Sequence, residues 1–92
     1  MDVTDNQAEH RFELATDAGP AVAVYELDGD TITFTHTIVP PQAEGHGVGG
    51  KLIAGALADV RRRGLNVVPR CSFVAAYLQR HPDAAEMARP AP

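Results

Sequence analysis

The stretch Pro40-Pro41-Gln42-Ala43-Glu44-Gly45-His46-Gly47-Val48-Gly49-Gly50-Lys51 has the residue types and spacing of a turn that holds an anion. A β-like run stops at the prolines, and an amphipathic helical pattern begins at Val48. A helix starting there leaves its first N–H groups without intrahelical acceptors, and its dipole favours negative charge at that end. Phosphate suits such a terminus. Glycine, lacking Cβ, lets the backbone approach a pyrophosphate and adopt positive φ. Two common phosphate motifs fail here in specific ways. Gly45-x-x-x-x-Gly50-Lys51 nearly spells a P-loop, but Leu52 stands where Ser or Thr must hold magnesium. Gly45-x-Gly47-x-x-Gly50 spells a dinucleotide fingerprint, which also needs a carboxylate about 20 positions on to hold the ribose. That region reads Leu65-Asn66-Val67-Val68-Pro69-Arg70 and contains none.

Other side chains offer reactive groups. Cys71 precedes a predicted short helix, and a helix N-terminus favours the thiolate, which makes it a candidate nucleophile. A lone cysteine is more often a small buried hydrophobe. His36 shares a predicted strand face with Phe34 and Ile38, where it is a candidate general base or a hydrogen-bonded residue at the core edge. His46 lies in the glycine turn, with its backbone N–H the relevant group, and His81 before Pro82 reads as a helix stop. The histidines and Cys71 show no ligand spacing, so no metal site is expected.

The elements that position these groups follow from periodicity. His10 to Ala15 and Ala21 to Leu27 read as strands, joined across Asp17-Ala18-Gly19-Pro20, and Asp28-Gly29-Asp30 reads as a hairpin connection. Thr31 to Val39 alternates, with Ile32, Phe34, His36 and Ile38 on one face and threonines on the other. From Val48 the period becomes helical: Val48, Leu52, Ile53, Ala56, Leu57 and Val60 form a stripe ending at Gly64, a C′ residue. Leu65 to Val68 is a short apolar strand, and Ser72 is the expected N-cap of a helix carrying Phe73, Val74, Tyr77 and Leu78. A helix between two strands of one sheet crosses right-handedly and makes them parallel. The expectation is an α+β fold: a mostly antiparallel sheet with one parallel strand pair and two helices. Residues 1–9 and 83–92 are expected to be disordered, leaving a domain over 10–82.

At 92 residues the chain supports one domain with a modest core, too few βα units for a P-loop or doubly wound fold. An apolar fraction of 45% is that of a globular chain. No run approaches the roughly 20 apolar residues of a membrane span. The acidic start does not resemble a signal peptide, and a single cysteine fits a reducing cytoplasm. The formal net charge of −4 is unevenly spread, with the bases concentrated from the glycine turn onward. An anionic small molecule therefore suits the second half, whereas nucleic acid does not suit an acidic domain.

Gln42-x-x-Gly45-x-Gly47 resembles the (Arg/Gln)-x-x-Gly-x-(Gly/Ala) turn of acetyl-CoA-binding N-acetyltransferases. Together with Thr35-His36-Thr37-Ile38-Val39-Pro40-Pro41 and Val67-Val68-Pro69-x-Cys71-x-Phe73-Val74-x-x-Tyr77-x-x-x-His81-Pro82, it makes residues 10–82 similar to the GNAT superfamily, the acyl-CoA N-acyltransferases. The match is to the small single-domain branch.

The resemblance implies that Ile38 and Val39 bond the pantetheine arm through their backbone, and that the parallel strand pair splays around the thioester. It implies that the turn from Glu44 to Gly50 (Glu44, Gly45, His46, Gly47, Val48, Gly49, Gly50) holds the pyrophosphate of acetyl-CoA, with Gln42 shaping the turn and Lys51 supplying charge. Tyr77 then stands where relatives place an acid for the departing thiolate, although its spacing from Phe73 equally suits a core tyrosine. Cys71 falls near the pantetheine end. Larger relatives build the acceptor site from segments this chain lacks, so a structural domain whose glycine turn merely binds anions stays open beside two functions that use the cofactor. One is an N-acetyltransferase acting on an amine by direct attack, and the other is a non-catalytic acetyl-CoA-binding module. The expected assembly is a monomer or weak homodimer, with no nucleic-acid or membrane partner.

Overall fold

The structure, a computed structural model, describes residues 3–88. In chain order the elements are β1 (Thr4–Asn6), a 3-10 turn, β2 (Arg11–Leu14), β3 (Ala21–Asp28) and β4 (Thr31–Ile38). A second 3-10 turn (Pro41–Ala43) leads to α1 (Val48–Arg62), β5 (Asn66–Pro69), α2 (Ser72–Arg80) and α3 (Pro82–Ala85). Alternation dictates the sheet: β2 buries Phe12 and Leu14, and β4 buries Ile32 and Phe34 on the same side. The strands lie in the order β1-β2-β3-β4-β5, with every pair antiparallel except β4–β5. That parallel pair follows from α1 crossing over the sheet.

The stripe Leu52, Ile53, Ala56, Leu57 and Val60 is fully buried and seats α1 on the sheet. Each of its leucine, isoleucine and valine side chains stabilises the fold by ~1.5–3 kcal/mol relative to exposure. Gly64, at φ +68, ends the helix. Its N–H donates to Arg61 C=O and Leu65 N–H donates to Val60 C=O, both at 3.1 Å, which is a Schellman closure. From α2, Val74 and Leu78 enter the same core cluster, so both helices cover one face of the sheet.

The β4–β5 pairing runs from Thr31↔Asn66 to Phe34↔Pro69 and then stops, while β4 continues to Ile38. Beyond it, Cys71 N–H donates to Phe34 C=O at 2.9 Å and Cys71 Sγ lies 3.2 Å from Thr37 Oγ1, with no further backbone bond between the two sides among the described residues. The strands therefore part beyond Phe34, and the second half of β4 borders a gap.

Four local expectations are corrected. The alternation of β4 breaks at a β-bulge: Tyr25 pairs with Phe34 and Val24 with His36, leaving Thr35 as an extra residue. Period two restarts with the faces exchanged. His36 and Ile38 leave the apolar row and are exposed, whereas Thr37 turns toward Cys71. Residues 4–6, expected to fray, form β1 instead. Its Asp5 accepts from Tyr25 Oη at 2.6 Å and from Arg63 at 3.0 Å, and Val3 packs against Gly55. The expected tail, 83–92, starts ordered: α3, opened by Pro82 as proline at a first helical position allows, carries residues 83–85. Ala88 then bridges Val67 beside a Val67 N–H to Met87 C=O bond of 2.8 Å; residues 89–92 lie outside the described range. Finally, the N-cap of α2 is Cys71, with helical structure beginning at Ser72. No described helix is long and apolar enough to cross a membrane.

Candidate functional site

Pro40 and Pro41 stop β4, and the chain tightens into a 3-10 turn closed by Ala43 N–H to Pro40 C=O at 2.8 Å. Two residues in the left-handed region follow, Gly45 at φ +83 and Gly47 at φ +74, and Gly47 is the N-cap of α1. A side chain at either costs ~1–2 kcal/mol in backbone strain, which is why glycine recurs here. The first intrahelical bond runs from Lys51 N–H to Gly47 C=O at 3.1 Å. Before it, the amides from Gly45 to Gly50 have no acceptor among the described residues. They carry the positive end of a 15-residue helix.

Of these residues, Gly45 and Gly47 to Gly50 border a cavity of about 620 Å³. Its near wall is Val39, Glu44, Gly45 and Gly47, continuing along α1 as Val48, Gly49, Gly50, Lys51 and Ala54. Its far wall is the face of α2 bearing Phe73, Ala76, Tyr77, Arg80 and His81. Gly49 holds the walls together. A Cβ there would lie 2.5 Å from Phe73 Cζ, so the missing side chain lets the two helix starts close on each other. The Phe73 ring, 41% exposed, forms part of the cavity surface.

The geometry gathers some of the sequence candidates and separates others. Val39, Glu44, Gly45, Gly47, Val48, Gly49, Gly50, Lys51 and Tyr77 share this cavity. Gln42 and His46 face a different depression, about 760 Å³, beside the β2–β3 turn. Ile38 is 57% exposed. Cys71 is buried; its Sγ lies 3.2 Å from Thr37 Oγ1, and its N–H is committed to Phe34. His36 is exposed after the bulge. Phe73, Ala76, Arg80 and His81 were not among the candidates. Arg80 and His81 follow Tyr77 by three and four positions, the spacing that shares a helix face, so that signal was present.

Tyr77 is half-buried, and its hydroxyl has no partner among the described residues. Its ring stacks on His81 with centroids 3.8 Å apart at 11°. His81 Nδ1 lies 2.8 Å from Tyr77 C=O. A carbonyl only accepts, so Nδ1 carries the proton, and in the neutral ring Nε2 keeps its lone pair. The other tyrosine is tied down: burial and the Asp5 carboxylate push the Tyr25 hydroxyl well above its ordinary range.

The arrangement can cradle phosphate oxygens on main-chain amides, line an apolar arm with Val39, Phe73 and Ala76, and present an unpartnered phenol. The fold superimposes on the solution structure of a GCN5-like protein from Staphylococcus aureus with a TM-score of 0.73, at 24% identity, covering 99% of this chain and 90% of that one. No curated protein matches the chain. The family model for GCN5-related N-acetyl-transferases matches residues 11–87. The chain therefore belongs to the GCN5-related N-acetyltransferase family, the GNAT superfamily.

Proposed function

We propose that the protein is an acetyl-CoA-dependent N-acetyltransferase that passes the acetyl group directly from the thioester to an amine. The observation that carries this reading is the set of acceptor-less amides at Gly45 and from Gly47 to Gly50 along a cavity that also contains Tyr77. The residues fit coenzyme A on three counts. The amides and the helix dipole suit a diphosphate. Val39, Phe73 and Ala76 suit the pantetheine chain. A volume of about 620 Å³ lies within the usual range for a bound cofactor.

Acetyl-CoA supplies the activated carbonyl; the chain supplies position and a proton. The gap where β4 and β5 part offers unpaired main-chain groups to the pantetheine amides. With acetyl-CoA bound, a neutral amine would displace the thiolate, the Tyr77 hydroxyl would donate a proton to the sulfur, and the proton shed by the new amide nitrogen would restore the phenol. A positioned acid of this kind is worth ~10²–10⁴ in rate. Direct attack is favoured over an acyl-Cys71 intermediate because the thiol is buried against Thr37 and does not line the cavity. His36, on the exposed part of β4, has no role in this scheme. The single cysteine suits a cytoplasmic setting.

The test has two parts. Acetyl-CoA should raise the melting temperature well beyond free phosphate or ATP, since a ligand stabilises by mass action. Thiol release from acetyl-CoA in the presence of mixed amines then separates an enzyme from a non-catalytic binding module. Binding without release would favour the module; no stabilisation by acetyl-CoA would remove both.

A further inference from the structure

The basic side chains divide into two groups. Arg11, Arg62 and Arg63 are ion-paired with carboxylates, and Arg61 donates to Asp83 C=O. Lys51, Arg70 and Arg80, by contrast, have neither a hydrogen bond nor an ion pair among the described residues. Two of these three uncommitted cations, Lys51 on the first turn of α1 and Arg80 at the last residue of α2, stand on facing walls of the same cavity. A second cavity of about 520 Å³ adjoins the first along the two helices, sharing Ala54, Tyr77, Arg80 and His81. The groove therefore extends past the glycine turn, with Arg80 where the two parts meet.

We propose that Lys51 and Arg80 read the 3′-phosphate of coenzyme A, making the site selective for the phosphorylated nucleotide over its dephospho form. This rests on the acetyl-CoA reading above. The diphosphate divides coenzyme A into two arms. With the pantetheine arm directed to Val39 and the β4–β5 gap, the nucleotide arm takes the remaining direction, past Lys51 and Ala54 toward the adjoining cavity. The amides and helix dipole meet the diphosphate, but they carry only partial charge. A phosphate monoester brings a further charge of about −1.5 to −2 at neutral pH and calls for full cations with free donors. Lysine and arginine supply these in complementary forms, one a compact ammonium and the other a planar fork that can grip two oxygens at once.

The experiment compares coenzyme A with dephospho-coenzyme A, which differ only by that phosphate, by calorimetry on the full chain at low salt. The expected result is at least a tenfold preference for coenzyme A, shrinking as salt rises because exposed charges are screened. Arg80→Ala and Lys51→Ala should each reduce the preference several-fold. The double variant should bring it close to one. Arg70→Ala, which removes an uncommitted cation outside both cavities, should leave the preference intact. Equal binding of the two ligands by the parent, or a preference that survives the double variant, overturns the assignment of these residues and leaves the cofactor reading standing. Binding of neither ligand overturns both. Because each variant's preference is a ratio measured on one preparation, a folding defect cannot imitate the expected loss.

Discussion

Gly55→Ala has opposite expected signs depending on whether β1 is seated on α1. Gly55 sits inside the helix, where glycine costs roughly 0.5–1 kcal/mol relative to alanine. On helix propensity alone the substitution stabilises. The structure reverses this: a Cβ at 55 would lie 2.5 Å from Val3 Cγ2 and 2.6 Å from Val3 Cβ. Because Val3 Cβ is fixed to the backbone, a side-chain rotation cannot relieve the contact, and the strand itself must shift. Overpacking of this kind typically costs about 1–3 kcal/mol. The strand's own anchors set the ceiling. Val3 is half-buried, worth ~1 kcal/mol, and the Asp5 carboxylate contacts with Tyr25 and Arg63 add ~1–2 kcal/mol. Subtracting the propensity gain leaves a net destabilisation of ~1 kcal/mol, or about 4–8 °C in melting temperature for a domain of this size. Thermal unfolding followed by circular dichroism reads it directly. In a Val3→Gly background the clash is absent, and Gly55→Ala should there raise the melting temperature. A rise in the parent background as well would mean that β1 does not pack on α1.

Four further outcomes follow from the geometry. Tyr77→Phe removes the unpartnered hydroxyl; kcat should fall about 100-fold with acetyl-CoA affinity changed less than about threefold, and an unaltered rate would exclude Tyr77 as the acid. Gly47→Ala meets no atom but must hold φ +74, so it should cost ~1–2 kcal/mol and also weaken acetyl-CoA binding. Intact mass after incubation with acetyl-CoA should show no adduct on Cys71; a Cys71-dependent acetyl adduct would contradict direct transfer. For pH, the folded protein raises the ionisation of Tyr25 above that of an unfolded tyrosine, near 10.0, chiefly by burying it and then through Asp5. The unfolded state therefore releases that proton first, and stability should fall as pH rises beyond about 10, a slope that Tyr25→Phe should flatten.

What was legible in the sequence was whatever depends on neighbours along the chain. The stripe from Leu52 to Val60, the C′ glycine at Gly64 and the alternation that buries Ile32 and Phe34 are properties of single segments. The bulge at Thr35 is not, because it is defined by how Val24 and Tyr25 pair across the sheet. Without it, His36 is misread as part of the apolar row. β1 is three residues long and without alternation, and its support comes from Val3 against Gly55 and Asp5 against Arg63, contacts more than fifty positions apart. The site divides in the same way. The glycine turn declares itself by composition. Gly49 looked like part of the phosphate cradle, and the structure adds a second requirement, space for Phe73. Gln42 and His46 lie in the same turn but line another depression, a separation that the composition of the turn does not encode.

The most direct measurement is a titration of isotope-labelled protein with coenzyme A, following backbone amide resonances. The expected result is saturable shifts concentrated in Gly45 to Gly50, with smaller changes along the facing side of α2. Resonances in that turn that stay unmoved at millimolar ligand would contradict the proposal that these amides hold the diphosphate.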